Sequence, residues 1–324
     1  MRIAATSLWR RRVKGQNFLK ASQDSSPEQG NIPNRESANA RKHFGLSGPS
    51  IVLDRRVNAV RGDIADVALA GVLFAPHYAR PMLRRCAVPV AAVRAKANDD
   101  AECVSELLHG ESFHVVDLSG GWAWGFCGHD HYVGYVRADA LAVAEAGDWR
   151  VQSASAALRS GATADAETLG TLPMGAIVSG RADGDHLLTD EGVIAIADLI
   201  GVNDRLDPVA QAEKLLGAPY QRGGRHDAGI DCSGLVQLAL SFAGIAAQRD
   251  SDLQEASLGD ALAANTPLQR GDVVFFPGHV GMMVDTDRVI HASSHSMTVA
   301  IEPLADLKAR LITDDTVSMK AIRP

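Results

Sequence analysis

Residues 229 to 236 read Gly-Ile-Asp-Cys-Ser-Gly-Leu-Val and lead directly into an apolar-periodic stretch, Val236 to Phe242. That order places Cys232 at the start of a helix, behind the acidic residue Asp231. The unpaired N–H groups and partial positive charge of a helix N-terminus favour a thiolate over a thiol and can bind a developing oxyanion. Downstream, His279 opens the run His-Val-Gly-Met-Met-Val and His291 closes Arg-Val-Ile-His. A thiol nucleophile needs a proton carrier and a group that holds the carrier's imidazole in the right tautomer. The two histidines are candidates for these parts.

His279 follows Cys232 by 47 residues, and His291 follows His279 by 12. If Val284 and Arg288 flank a three-residue loop, Asp285-Thr286-Asp287, residue 279 faces 293. His291 is then its diagonal neighbour on the same sheet face, at about 7–8 Å. A two-residue loop would put the two rings on opposite faces. From spacing alone, a Cys/His hydrolase and two unrelated strand histidines both stay open. Cys127, His129 and His131 also alternate, which on a strand would align three metal-ligand types. Three ligands on one strand rarely converge on a tetrahedral ion and no fourth is apparent, so a half-exposed strand is expected there instead.

The elements that must position these residues fall into three groups. From 85 to 145, β-like runs at Val90 to Arg94, Phe113 to Asp117, Trp122 to Phe126 and Tyr132 to Arg137 alternate with Gly and Asp clusters, as in a small antiparallel barrel. A shorter version follows, with runs at Gln152 to Leu158, Thr168 to Leu172, Ala176 to Gly180, His186 to Thr189 and Gly192 to Ala197. After Asn203 the pattern becomes helix, then strand. Val209 to Leu216 is a helical face closed by Gly217 and Pro219, the Cys232 helix ends at Gly244, and 252 to 264 is a weaker helix. Strands are expected at Asp272 to Phe276, His279 to Val284, Arg288 to Ala292 and Thr298 to Glu302, an α+β unit.

At 324 residues the chain is too long for one ordinary core, and 46% hydrophobic with 22% charged residues describes a soluble globular protein. No apolar run approaches the roughly 20 residues that span a bilayer. Residues 1 to 50 carry nine Lys/Arg against three Asp/Glu, and the remainder carries 23 basic and 36 acidic residues. An acidic body without an aromatic-interleaved basic patch argues against a nucleic-acid partner and for a small or peptidic ligand. Arg10, Arg11, Arg12 and Lys14 interrupt the only mildly apolar N-terminal stretch, so no signal peptide is expected. Residues 20 to 48 are rich in Ser, Gln, Asn, Pro and Gly, as in a disordered extension. Four cysteines without framework spacing point to reduced thiols in the cytoplasm.

Five ordered stretches carry a resemblance: Leu216-Gly-Ala-Pro-Tyr220 to Gly223-Gly224, Ile230-Asp-Cys-Ser-Gly-Leu-Val236, Arg270-Gly-Asp-Val-Val-Phe-Phe276, His279-Val-Gly281 and Ile290-His-Ala292. Together they resemble the NlpC family of papain-like cell-wall cysteine peptidases. Leu108-His-Gly-Glu111, Gly121-Trp122 and Asp130-His-Tyr-Val-Gly-Tyr-Val136 resemble bacterial SH3-like barrels. The implied architecture is multi-domain: an extension over 1–48, a lead-in and first SH3-like barrel over 49–145, a second barrel over 146–202 and an α+β papain-like peptidase domain over 203–324.

The resemblance also implies roles. Cys232 would be the nucleophile, His279 the general base and then acid, and His291 the residue orienting His279. Tyr220 would point its hydroxyl into the site, and the Cys232 N–H would help bind the oxyanion. No metal or other cofactor is implied. Relatives of this arrangement resemble endopeptidases that cut between γ-D-glutamate and an L-diamino acid in murein stem peptides with a free N-terminal L-Ala. Asp231 and Tyr132 would grip that amine, with Glu102 as acidic partner and Glu106 and Glu111 as rivals for the place. Ser233 and the run Arg249-Asp250-Ser251 match positions lining the same pocket. Asp231 also suits a helix N-cap, and its second oxygen could then serve an ammonium. Arg222, His109 and the 48-residue extension depart from the pattern. The expectation is a monomeric cytoplasmic enzyme that trims recycled wall peptides. An exported or lytic endopeptidase or amidase, and an inert peptide-binding module, are the alternatives.

Overall fold

The computed structural model describes residues 52–263, 266–312 and 319–324, so the 1–48 extension lies outside the described residues. The described residues are mostly β, and their short α-helices lie in the C-terminal part, from Pro208 onward.

The first β unit is one seven-stranded sheet. Its order in space is Cys103–Leu108, Val90–Arg94, Val133–Arg137, Trp122–Cys127, Ser112–Ser119, Met82–Cys86 and Leu141–Ala142. Val93, Leu107, Phe113, Val115 and Val136 fill one side. Every residue of Trp122–Cys127 is buried, because Ala59, Ile64 and Ala79 of the lead-in segment pack over Trp124 and Phe126 on the other side. Covering both faces removes the polar-out alternation expected of an exposed strand. The lead-in itself holds a short parallel pair, Ile64–Asp66 with His77–Ala79.

The second unit splits between two sheets. Trp149–Val151 pairs with Ile177–Val178 and Leu199–Gly201, while Ser155–Arg159 pairs with Thr168–Pro173 and Val193–Ala195. The strand expected over 152–158 thus begins at Ser155, and residues 152–154 form the corner between the sheets, where the Gln152 N–H donates to Asp198 O at 2.9 Å. Val151, Leu158, Leu172, Leu187 and Ile194 are its core.

The C-terminal part centres on the helix Cys232–Phe242, buried all round except at Ser241. One side rests on a five-stranded antiparallel sheet in the order Thr298–Pro303, Arg288–Ser293, His279–Met283, Val273–Phe276 and Lys320–Ile322. The other receives Leu108 and Met174 from the two upstream units, which join the helix's own core cluster. A helix apolar on every face is stable only when wrapped in this way. The far face of the sheet packs on a helix that the residue pattern did not announce, Leu304–Leu311, through Leu304 and Leu307. The helix expected over 252–264 is shorter, Ser251–Ser257, and stops before Gly259, whose φ of 125° is left-handed. Among the described residues no helix is long and apolar enough to cross a membrane.

The first unit and the Cys232 region are joined by a buried polar interface. Arg225 donates to both oxygens of Glu111 at 2.8 and 3.0 Å and to Glu106 O at 2.7 Å. The Arg225 N–H and the His226 ring meet Glu106 Oε2 at 2.7 and 2.8 Å. Gln237, in the middle of the helix, donates to Asp130 at 2.8 Å. Gly223 has φ 80°, and a Cβ there would fall 2.1 Å from Cys103 O. Only glycine allows this loop to lie against the first unit.

Candidate active site

Asp231 caps the helix, accepting from Gly234 N at 2.7 Å. Gly234 is required because a Cβ would stand 2.5 Å from Gly224 O. Cys232 is thereby fixed in the first turn, where its N–H has no intrahelical acceptor. Cys232 packs with Val280 of the neighbouring strand, the residue after His279. The helix start does not by itself yield a resting thiolate. Burial and the adjacent Asp231 carboxylate push the thiol up to about 11, against the N–H groups of Val280 and Ser233, which lower it.

The hairpin register is the one implied by the three-residue loop. Met282 pairs with Ile290 and Met283 with Val289, and Val284 N donates to Arg288 O at 2.8 Å around Asp285-Thr286-Asp287. His279 and His291 accordingly share a face, with His279 Nε2 2.8 Å from His291 Nδ1 and the rings edge-on at 86°. Burial, then His291 and Arg310, lower the His279 imidazole to about 4. Both shifts favour a neutral thiol and a neutral base in the free site. The row continues where no reading of the sequence looked: His291 Nε2 meets Glu302 Oε1 at 2.6 Å, and Glu302 pairs in turn with Arg310.

The residues expected to grip an amine are placed less uniformly. Asp231 takes Gly234 N and Arg249 Nη1 on Oδ1 at 2.7 and 2.9 Å, and Gly223 N and Arg249 Nη2 on Oδ2, both at 2.7 Å. A carboxylate offers about four lone-pair sites, so the second oxygen expected to be open is already used. Ser233 is drawn into the same network, accepting from Arg249 at 3.0 Å. Arg249 is fully buried. Burial disfavours its charge, and Asp231 more than compensates.

Asp250 occupies the N-cap position of Ser251–Ser257 but caps nothing. Its Oδ2 instead accepts from the Tyr132 hydroxyl at 3.0 Å and from Arg56 at 2.9 Å, and its Oδ1 takes no hydrogen bond among the described residues. Ser251 begins that helix, half-buried. Tyr132 is buried under the same contact, and burial followed by Asp250 raises its phenol well above the ordinary range. Tyr220 is close enough to Cys232 for the thiolate to oppose its ionisation, after burial. Glu102 is exposed at the rim, 3.5 Å from Arg222. The rivals Glu106 and Glu111 are removed from contention, since both are committed to Arg225 and His226 inside the interface.

Two cations of this network have partners that the residues did not announce. Arg249, expected only as part of a pocket-lining run, is the buried partner of Asp231. Arg56, from the lead-in, spans to Asp250 and Asp252 at 2.9 and 2.7 Å. The alternating Cys127, His129 and His131 are not on one strand: the strand ends at Cys127, the chain turns, and His131 takes a left-handed φ of 61°. His129 faces Asp130 at 3.2 Å.

Residues 217–316 match the NlpC/P60 family, and residues 93–141 match the bacterial dipeptidyl-peptidase Sh3 domain. A probable endopeptidase of Mycobacterium tuberculosis is 36% identical over 104 residues, 31% of this chain and 26% of that protein. Dipeptidyl-peptidase 6 of Lysinibacillus sphaericus is 33% identical over 100 residues, 31% of this chain and 36% of that one. The matches therefore span about a quarter to a third of these curated relatives. An NlpC/P60 family protein from Bacillus cereus ATCC 10987 shares the fold with a TM-score of 0.60 at 19% identity, over 69% of this chain and 94% of that one. Cys232, His279 and His291 all fall inside the matched C-terminal segment, and the chain carries an NlpC/P60 family domain preceded by a bacterial SH3 domain.

Proposed function

We propose that the protein is a cysteine endopeptidase that hydrolyses the γ-D-glutamyl–L-diamino acid bond of murein stem peptides bearing a free N-terminal L-Ala. The observation that carries this reading is the Cys232 thiol at the start of a helix that packs on the strand carrying His279, itself paired with buried His291, within the segment matching the NlpC/P60 family. We take the C-terminal part as papain-like and the 149–201 unit as a second SH3-like barrel.

In the proposed cycle His279 Nδ1, the ring nitrogen not engaged by His291, takes the thiol proton as Cys232 attacks the γ-carbonyl. The Cys232 N–H helps hold the oxyanion. Collapse breaks the C–N bond, and His279 returns the proton to the departing diamino acid amine. Water, deprotonated by the same nitrogen, then hydrolyses the thioester and releases L-Ala-γ-D-Glu. Asp250, with one oxygen unengaged, and Glu102 at the rim are the carboxylates left to receive the L-Ala ammonium. Asp231 acts through Arg249 instead.

Recycling of cut peptides in the cytoplasm, rather than attack on the wall, is supported by two features. The first β unit is locked over the Cys232 region by the Arg225 interface, leaving a site walled on that side. All four cysteines are free, as reduced thiols are in a reducing compartment. The test compares soluble L-Ala-γ-D-Glu-diaminopimelate with intact sacculi. Rapid release of L-Ala-γ-D-Glu from the soluble peptide, with sacculi untouched, is expected. Solubilisation of sacculi without cleavage of the peptide would move the protein to the exported, lytic alternative.

A further inference from the structure

We infer that Glu302 is a positioning residue that sets which nitrogen of His279 is basic. The inference rests on the peptidase reading for its kinetic consequence, but not for its structural content.

The three side chains form a row across one sheet face. His291 pairs with Ala300 in the Arg288–Ser293 and Thr298–Pro303 ladder, and Val289 pairs with Glu302. Glu302 is thus the diagonal neighbour of His291 on one flank, as His279 is on the other. The contacts are 2.6 and 2.8 Å. Arg310, from the helix that follows, closes the row on Glu302.

A neutral imidazole has one N–H and one lone pair. Burial opposes ionisation of Glu302, but Arg310 and His291 outweigh it and hold the carboxyl below its ordinary range. An ionised carboxylate only accepts, so the proton of neutral His291 sits on Nε2 and its Nδ1 carries the lone pair. That lone pair accepts from His279, so the His279 proton sits on Nε2. His279 Nδ1 is left bare, which is the state needed to take a thiol proton. Without Glu302, His291 is free to place its proton on Nδ1 and donate it to His279 Nε2. The His279 proton would then occupy Nδ1, and the base would be blocked. A wrong tautomer in a geometrically intact triad is known to cost orders of magnitude in kcat, and loss of the carboxylate behind a metal-ligating histidine, an arrangement of the same geometry, typically costs about 10–100-fold.

The test uses the full chain labelled with 15N-histidine. In the wild type, ring 15N shifts should show Nε2–H and bare Nδ1 on both His279 and His291. Glu302→Leu should mix or invert these states and lower kcat about 10–100-fold with KM nearly unchanged. Glu302→Gln keeps an acceptor oxygen at the same reach and should restore most of the rate. Arg310→Met leaves the carboxylate in place and should cost less than Glu302→Leu. If Glu302→Leu does not fold, the wild-type shifts and Arg310→Met still decide. A Nδ1–H tautomer on wild-type His291, or a Glu302→Leu enzyme with unchanged tautomers and kcat, overturns the inference. Absence of hydrolysis by the wild type would count against the peptidase reading instead and leave the tautomer assignment standing.

Discussion

The two sides of the site are built differently. The proposed catalytic side, Cys232, His279, His291 and Glu302, comes from one helix start and three adjacent strands of a single sheet. The proposed recognition side gathers Arg56 from the lead-in, Tyr132 from the first β unit, and Asp231, Arg249 and Asp250 from the C-terminal part. On the first side, local register decides everything. On the second, long-range pairing of buried charges decides which carboxylates remain for a ligand. A site of this kind keeps its chemistry when the recognition side changes, so substitutions on the two sides should separate in kcat and KM.

The largest effect that would break this picture is on stability. Arg249→Met leaves Asp231 buried without its cation, and losing one partner of a buried pair costs roughly 3–5 kcal/mol. Urea unfolding should show that loss, because the same carboxylate caps the Cys232 helix. A loss under 1 kcal/mol would show that Asp231 does not depend on Arg249.

The pH profile sharpens the catalytic side. His279 must be neutral to act as a base, and burial lowers its pKa to about 4. The acid limb of kcat/KM should therefore fall not near the usual 6.5 but toward pH 4. The thiol, raised to about 11, should react slowly with iodoacetamide at pH 7 and faster as pH rises. Fast alkylation at neutral pH would mean a resting thiolate–imidazolium pair, and an acid limb at 6.5 would mean that burial does not lower His279.

The smallest effect belongs to Arg56. Its guanidinium is more than a third exposed, so the pairs to Asp250 and Asp252 contribute at most about 1 kcal/mol. Arg56→Ala removes a cation competing for Asp250. KM for the free-amine peptide should fall by up to about fivefold at unchanged kcat, and a raised KM would assign Arg56 to the substrate's carboxylates instead.

This contrast also explains what could be read from the residues alone. The His279–His291 alignment was legible only on condition of a three-residue loop, because Asp285-Thr286-Asp287 sets the register and a two-residue loop would have reversed one face. Glu302 lay on an expected strand, but its register against His291 passes through the Ser294–Met297 turn, where Met297 takes a left-handed φ of 57° that side chains rarely adopt. Arg249 was unreadable as a buried residue because arginine is almost never fully buried unless paired, and its partner lies 18 positions away. Glu106 and Glu111 looked available for the same reason: nothing local announces Arg225. The alternation of Cys127, His129 and His131 misled because alternation signals a strand only while the chain stays extended.

The central claim is a thiol peptidase that reads a free N-terminal amine. The most direct measurement is hydrolysis of soluble L-Ala-γ-D-Glu-diamino acid peptide by the wild type and by Cys232→Ala, beside an N-acetylated copy. The account predicts cleavage of the free-amine peptide alone, lost in Cys232→Ala. Equal cleavage of both copies would contradict amine recognition, and cleavage of neither would contradict the peptidase itself.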